Sequence, residues 1–350
     1  MVLRYLMHRH KLATLFLGLF WLGLLQPLSG QNITYEDFFV ESTDKVKLFV
    51  RAFTNTQAVP KYKYPLLLLH GGGPGVLASF DNEVPEGSFV KDLIRAGFKV
   101  YMMNARGWEQ STLPTYDAQD TTLLIGNYKE VATDIDHVIE AIRKREKVKQ
   151  VSLFGWATGG HWGGYYATKH SKKLAHFISL NSLYGVKAPW ELRKFFWKEE
   201  DTTQFQRTQP YRVSGREGLV RKWHATIPVA NKQLWRDSLV MEHYRNTAVS
   251  FGEDTTQMKV PGGYREESFY MSLGKQYWSA RQITTPTLVI RTELDFWSRP
   301  EDIKAINDDL PSTARKRVIT LPGTHYVFLD KPERGRKQLV EAIVNFIEEK

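Results

Sequence analysis

The hydrophobic pattern of this chain changes period along its length. Tyr64–His70 (YPLLLLH) is a short, continuously apolar run between a Pro/Lys linker and a glycine cluster, which predicts a strand buried on both faces. Before it, Phe38–Val40 and Val46–Ala52 half-alternate around Ser42-Thr43-Asp44 and predict an antiparallel hairpin. After it, helical and strand-like stretches take turns. Ser88–Ala96 is helical, Phe98–Asn104 a strand, Tyr128–Arg145 a long helix and Gln150–Gly155 a strand. A helix follows from Thr158, then the strand His176–Leu180. This rhythm implies right-handed βαβ crossovers and a mostly parallel sheet with helices on both faces.

The rhythm stops at Asn181 and resumes near Gln282. The stretch between carries five of the ten tryptophans (Trp190, Trp197, Trp223, Trp235 and Trp278), mixed charges and helix-like periodicity. It predicts an inserted helical lid over 182–282, with most of those tryptophans in its own core and one or two facing a pocket. Thr287–Arg291 then reads as a strand, Pro300–Asp309 as a helix, Lys316–Leu321 as a strand and Pro332–Glu349 as a terminal helix. The expected organisation is one α/β domain in two parts, 31–181 and 283–350, interrupted by the lid.

Residues 1–30 stand apart. A basic start with Arg4, Arg9 and Lys11 precedes a fourteen-residue apolar run, Leu12–Leu25, and then Leu28-Ser29-Gly30. That is the pattern of a secretory signal, too short for the ~20 residues of a stable membrane-spanning helix. The expected location is secreted or periplasmic, with an uncleaved N-terminal anchor as the alternative and no stable span after removal of the signal. Asn32-Ile33-Thr34 would be a glycosylation sequon in a eukaryotic secretory route.

Composition narrows the chemistry. In 350 residues there is no cysteine, which excludes disulfides, thiolate metal sites, Fe–S clusters and a cysteine nucleophile. The formal charge is +10, but three of those charges lie in the signal. The basic run Lys144–Lys149 follows a helix C-terminus, where cations are favourable, and no groove-reading motif accompanies it. A nucleic-acid partner is therefore not expected. Asp136 and His137 within one helix suggest a solvated or packed polar pair, and the absence of His-Glu-x-x-His argues against a catalytic metal. No cofactor is implied.

Three groups fall just after predicted strands, where open α/β sheets hold their ligands. His70-Gly71-Gly72-Gly73-Pro74-Gly75 lets backbone N–H groups approach developing negative charge, and it lacks the spacing of a phosphate or dinucleotide loop. Gly155-Trp156-Ala157-Thr158-Gly159-Gly160 has the glycine spacing of a nucleophile elbow, Gly-x-Ser-x-Gly, with alanine at its centre. Asp295 and His325 each follow a late strand and form the acid and base of a triad in the chain order elbow, acid, histidine. A lone late histidine is more often a packed or surface residue, so the order carries this reading.

With those motifs the chain resembles the α/β-hydrolase superfamily, including Asn104-Ala105-Arg106-Gly107 as the turn after the second buried strand. His-Gly-Gly-Gly-Pro-Gly followed by a lid is most similar to the proline-iminopeptidase-like and esterase-like branch. The resemblance implies an α/β-hydrolase fold and an oxyanion hole from the Thr158 N–H and an N–H of Gly72 or Gly73. The extra glycine leaves open which of the two donates. No acidic site for a peptide amino terminus is legible in the lid, so the peptidase activity is not carried over.

Ala157 falls on the residue that defines the chemistry. Losing a triad nucleophile leaves only a residual ~10³–10⁴-fold acceleration over water. Thr158 offers the nearest hydroxyl, but its backbone N–H is needed for the oxyanion. His161, one turn on, is expected to pack, because Trp162, Gly163 and Gly164 suggest close helix–sheet contact. Trp156 is expected in the pocket wall. The expectation is an ester or amide hydrolase scaffold for a small ester, lactone or aminoacyl substrate, impaired by the lost serine. A non-covalent lyase, cyclase or cofactor-free oxygenase using His325 as general base is the second reading, and a ligand-binding pseudoenzyme the third.

Overall fold

In the computed structural model, residues 33–349 are described apart from 86, 115–124, 208–209 and 253. The signal-like segment 1–30 and the sequon residue Asn32 lie outside the described residues.

The hairpin expected from the half-alternating segments forms from β1 (Ile33–Glu41), longer at both ends than the apolar pattern suggested, and β2 (Lys47–Asn55), longer at its C-terminal end. It turns at Lys45 in a left-handed conformation. The buried run becomes β3 (Leu66–Leu69), every residue of which is fully buried. The short helix α1 (Val76–Phe80), absent from the sequence reading, follows the glycine loop. Next come α2 (Phe89–Arg95), capped by the Ser88 side chain, β4 (Val100–Met103) and α3 (Tyr128–Glu146). The last ends on left-handed Lys147, so the basic run lies at a helix C-terminus as expected. The strand β5 (Val151–Trp156) leads into α4 (Thr158–His170) and β6 (Leu174–Leu180).

The sheet order is β1-β2-β4-β3-β5-β6-β9-β10, with β9 (Thr287–Leu294) and β10 (Lys316–Thr324) joining after the insertion. Among the described residues of this sheet, only the β1–β2 and β2–β4 pairs are antiparallel. The chain leaves β3 toward β4 on one side and returns to β5 on the other, so a topological switch lies between β3 and β5, where such sheets hold ligands. Register completes the alignment, pairing Leu69 with Gly155, Trp156 with Leu180 and Leu294 with Thr324. The loops after β3, β5, β9 and β10 therefore open on one edge.

Helices cover both faces, with α3 packed on α4 and α2 on α9 (Arg336–Glu348). Phe154 of β5 meets Phe80 and Phe89 on one side. On the other, a Cβ at Gly163 of α4 would stand 3.0 Å from Phe177 and 3.2 Å from Leu153, so glycine sets this close helix–sheet approach. The helix α8 (Pro300–Asp309) has the expected bounds. The terminal helix does not. Gly335, at φ 118°, separates a single turn at Pro332–Arg334 from α9.

The insertion contains a strand pair that the helical reading of 182–282 did not include. Besides α5 (Arg216–Thr226), α6 (Ser238–Val249) and α7 (Gly263–Ser272), it contains the antiparallel pair β7 (Tyr211–Gly215) and β8 (Gln257–Pro261). Both strands alternate in burial over only five residues, too short a signal beside longer helical periodicities.

Behind the turn after β4, buried Arg106 donates to Asp134 from Nε at 2.9 Å and from Nη2 at 2.6 Å, and to Asp44 from Nη1 at 2.6 Å. Asp134 is fully buried, so removing its cation leaves an uncompensated interior charge. Arg106→Met is expected to lower folding stability by about 3 kcal/mol or more, read from urea unfolding at pH 7. A loss within experimental error would show that this ion pair does not anchor the turn.

Candidate functional site

The turn leaving β5 is built for one conformation. Ala157 has φ 51° and ψ −113°, a region costly for any residue with a side chain. Its N–H donates to Leu180 O at 2.7 Å, and the Gly160 N–H donates to Ala157 O at 3.0 Å. A Cβ at Gly155 would stand 2.3 Å from Gly159 O, and one at Gly159 would stand 2.4 Å from His70 O. Glycine two residues before and two after Ala157 is thus a steric requirement. The result is a sharp strand–turn–helix elbow whose apex carries a methyl group.

Asp295 and His325 meet at the ends of β9 and β10. His325 Nδ1 lies 2.6 Å from Asp295 Oδ1, with both side chains buried. The Asp295 carboxylate also accepts from the N–H groups of Trp297 at 2.9 Å and Ser298 at 2.8 Å, and from the Ser298 hydroxyl. These bonds fix the carboxylate and leave Nε2 as the free face of the imidazole. Trp156 Nε1 donates to His325 O at 3.1 Å, and Asn181 Nδ2 to the same carbonyl at 3.3 Å. Asn181 Oδ1 in turn accepts from Thr292 N at 2.8 Å.

Asp330 supports the same loop from behind. It accepts from Thr324 N at 2.8 Å, from Thr324 Oγ1 at 3.0 Å and from Trp223 Nε1 of the insertion at 2.8 Å. Burial pushes its carboxyl up to about 7 despite those bonds. Asn181, Thr292 and Asp330 escaped the sequence reading, because nothing in their spacing marks them. Asn181 meets Thr292 across 111 positions of the chain, and Asp330 meets Trp223 across 107.

The glycine loop is held by neutral imidazole and indole groups. His70 Nδ1 lies 2.6 Å from Gly71 O, and its Nε2 accepts the Ala105 N–H at 3.1 Å. Complete burial drives this histidine down to about 4, consistent with one donating and one accepting nitrogen. Trp108 Nε1 donates to Gly73 O at 2.8 Å. A Cβ on Gly72 would stand 2.2 Å from the Tyr264 ring, so the insertion presses directly on this loop.

Ala157, Thr158, Gly72, Gly73, Trp156 and His325 line one cavity of about 410 Å³, and Asp295 reaches it through His325. None of the five insertion tryptophans lines it. Trp190, Trp223 and Trp278 are buried elsewhere, and the aromatic wall comes from Phe196, Tyr244, Tyr264, Phe296, Trp297 and Tyr326. Phe296 and Trp297 immediately follow Asp295, a signal that was available in the sequence. His161 packs as expected, accepting from Trp278 Nε1 at 3.0 Å with Glu267 Oε2 3.3 Å from its other nitrogen. Among the described residues, no group of three or more His, Asp or Glu could hold a metal ion, and no helix is long and apolar enough to cross a membrane.

Comparison with known proteins agrees with this fold. A family profile described as "Serine aminopeptidase, S33" matches residues 86–332, and the chain belongs to that family of α/β-hydrolases. Among curated proteins, the "Abhydrolase domain-containing protein abhd-5.2" of Caenorhabditis elegans is 28% identical over 123 residues, 35% of this chain and 24% of that protein. The match thus spans about a quarter of that relative's length. Among solved structures, the enol-lactonase from Burkholderia xenovorans superposes with a TM-score of 0.59 at 17% identity, covering 89% of this chain and all of that one. An esterase from Exiguobacterium antarcticum gives 0.57 at 16% identity, covering 90% of this chain and 100% of that chain. At such identities the likeness is one of fold. The chain is an α/β-hydrolase-fold protein.

The buried His70 has a consequence for pH. The unfolded chain binds its proton near 6.5, while the folded chain refuses it until about pH 4. Stability contributed by neutral His70 is therefore present above 6.5 and lost as the pH falls through about 4. The expected loss is about 3 kcal/mol across that window. His70→Gln keeps an acceptor for Ala105 N–H and should remove this part of the slope, seen by comparing urea midpoints of the two proteins from pH 7 to pH 4. Parallel slopes would show that His70 takes up its proton at the same pH in the folded and unfolded chains.

Proposed function

We propose that the protein is a serine-hydrolase scaffold, of esterase or peptidase type, that no longer forms an acyl-enzyme. It holds a small ester, lactone or acyl compound in the cavity, with the insertion acting as a lid. One observation carries this reading. Ala157 keeps the strained elbow conformation, φ 51° and ψ −113°, beside an intact Asp295–His325 pair, yet offers no atom that can attack.

The roles follow from the geometry. With an oxygen nucleophile at 157, His325 Nε2 would take its proton while Asp295 holds the other nitrogen. The N–H of Thr158 at the start of α4, with one from Gly72 or Gly73, would receive the oxyanion. With alanine, the binding and electrostatic parts persist and the covalent step is closed. His325 can still accept a proton from a bound ligand or water. Its 2.6 Å contact with Asp295 favours a non-covalent general-base enzyme as the second reading.

Residues 1–30 are assigned to export on their pattern alone, giving a secreted or periplasmic protein. The mature chain should then begin at Gln31, which intact mass of exported material would read directly. A mass including the apolar run would instead establish an uncleaved anchor.

The wild-type protein should resist labelling by a fluorophosphonate and should show at most trace hydrolysis of p-nitrophenyl butyrate. Ala157→Ser should gain covalent labelling at residue 157 and at least about 10³-fold in ester hydrolysis. Ordinary esterase rates in the wild type would sink the proposal. A folded but unlabelled Ala157→Ser protein would favour the non-covalent enzyme.

A further inference from the structure

The walls of the cavity carry one sign of charge. Arg212 of β7, Arg221 and Lys222 of α5 and Arg265 of α7 line it, and no Asp or Glu among the described residues does. None of the four pairs with a described carboxylate. Elsewhere in the insertion, Arg207 pairs with Glu266 at 2.6 Å and Arg245 with Glu217 and with Glu242 at 2.7 Å, while Arg236, outside the cavity, has no described carboxylate partner. The cavity differs in that four such cations converge on one space with no acid among its described lining residues.

Arg212 spends its hydrogen bonds on neutral groups. Its Nη1 donates to Gly72 O at 3.2 Å and to Tyr264 Oη at 2.9 Å, and its Nε donates to Ser214 Oγ at 3.1 Å. It lies over the glycine loop, since Nη1 and the Tyr244 hydroxyl are each 4.0 Å from where a Gly73 Cβ would stand. Arg265 Nη2 donates to Tyr211 O at 2.9 Å, while its buried Nε has no partner. Burial holds Arg265 below the usual arginine range, with the nearby Arg212 charge acting in the same direction. Burial raises the phenols as well, Tyr326 to about 12 and Tyr244 well above its ordinary value, so both remain neutral and able to donate. The N-terminus of α4 adds the positive end of a thirteen-residue helix dipole at Thr158, whose hydroxyl is buried without a partner. Across the cavity, Leu192, Phe196, Phe296 and Trp297 present apolar surface.

We infer that the cavity selects ligands with a compact anionic head, carboxylate or phosphate monoester, recognised by Arg212 and Arg265, and an apolar body resting on Phe296 and Trp297. Desolvated guanidinium groups without internal counter-charge are stabilised by an anion that only the ligand brings. A ligand with a free ammonium terminus would meet four cations and no carboxylate, so aminoacyl substrates of that kind are disfavoured here. The inference rests on the proposed function in taking this cavity as the ligand site.

The test uses the full chain and calorimetric or tryptophan-fluorescence titration with 4-phenylbutyrate, 4-phenylbutyl phosphate, 4-phenylbutanol and 4-phenylbutylamine. At least one anion should bind roughly tenfold tighter than the alcohol, the weight of one charge-assisted hydrogen bond, and the amine should not saturate. Which anion binds tighter identifies the head. Added salt should weaken the anions and spare the alcohol. Arg212→Met should narrow the anion-to-alcohol ratio at least fivefold. If that variant fails to fold, Lys222→Gln and the salt series in the wild type decide the same question. Equal binding of alcohol, amine and anions overturns the inference. Ala157→Ser separates it from the broader proposal through p-nitrophenyl hemiglutarate and p-nitrophenyl butyrate. Labelling with equal turnover of both esters leaves the scaffold reading standing and overturns charge selection. Selective anion binding with no labelling does the reverse.

Discussion

The backbone at Ala157 is the constraint to which the rest of the site is fitted. A residue with positive φ at the end of a buried strand costs on the order of 1–3 kcal/mol and persists only where its surroundings over-determine it. Here they do. The N–H of Ala157 is tied to Leu180 of β6, Gly155 lies against Gly159, and Gly159 in turn lies against the carbonyl of His70. That last contact brings the start of α4 and the glycine loop after β3 together. The same turn carries Trp156 into place to hold the carbonyl of His325. Three loops from distant parts of the chain are thus positioned by one dihedral pair.

How much of this was legible in the sequence depended on whether the cause was local. The elbow was legible because steric crowding within five residues demands glycine at 155 and 159. The parallel sheet was legible because its buried strands are uniformly apolar and its helices are not. The β7–β8 hairpin was not, since YRVSG and QMKVP are short and half exposed. The break at Gly335 was marked by the glycine itself, while Pro332 offered an equally good first helical residue. The cavity wall was misread for a different reason. Tryptophans announce burial without saying against what, and Trp223 is committed to Asp330 rather than to the cavity. Arg212 could not be singled out among so many cations, because its lack of a carboxylate partner exists only in three dimensions.

Family membership and site chemistry answer different questions about this chain. The fold, the match over 86–332 and the superposed esterase and lactonase place it among the α/β-hydrolases. A fold of this kind hosts many chemistries, and the chemistry is set by the residues on its loops. Here the loops of the core carry the hydrogen-bonded Asp295–His325 pair, while the insertion supplies a wall of cations and aromatic rings. Those two halves of the cavity derive from different parts of the chain, so a change in one leaves the backbone of the other free to persist.

They are nevertheless joined mechanically. Trp223 of α5 hydrogen-bonds to Asp330, Asp330 holds Thr324, and Lys331 N donates to Trp235 O at 2.8 Å. Any outward swing of α5 that preserves these bonds must drag the imidazole-bearing loop with it. Were the insertion to open as the proposed lid, admission of a ligand and alignment of His325 would be a single degree of freedom, and Trp223 a built-in gauge of both.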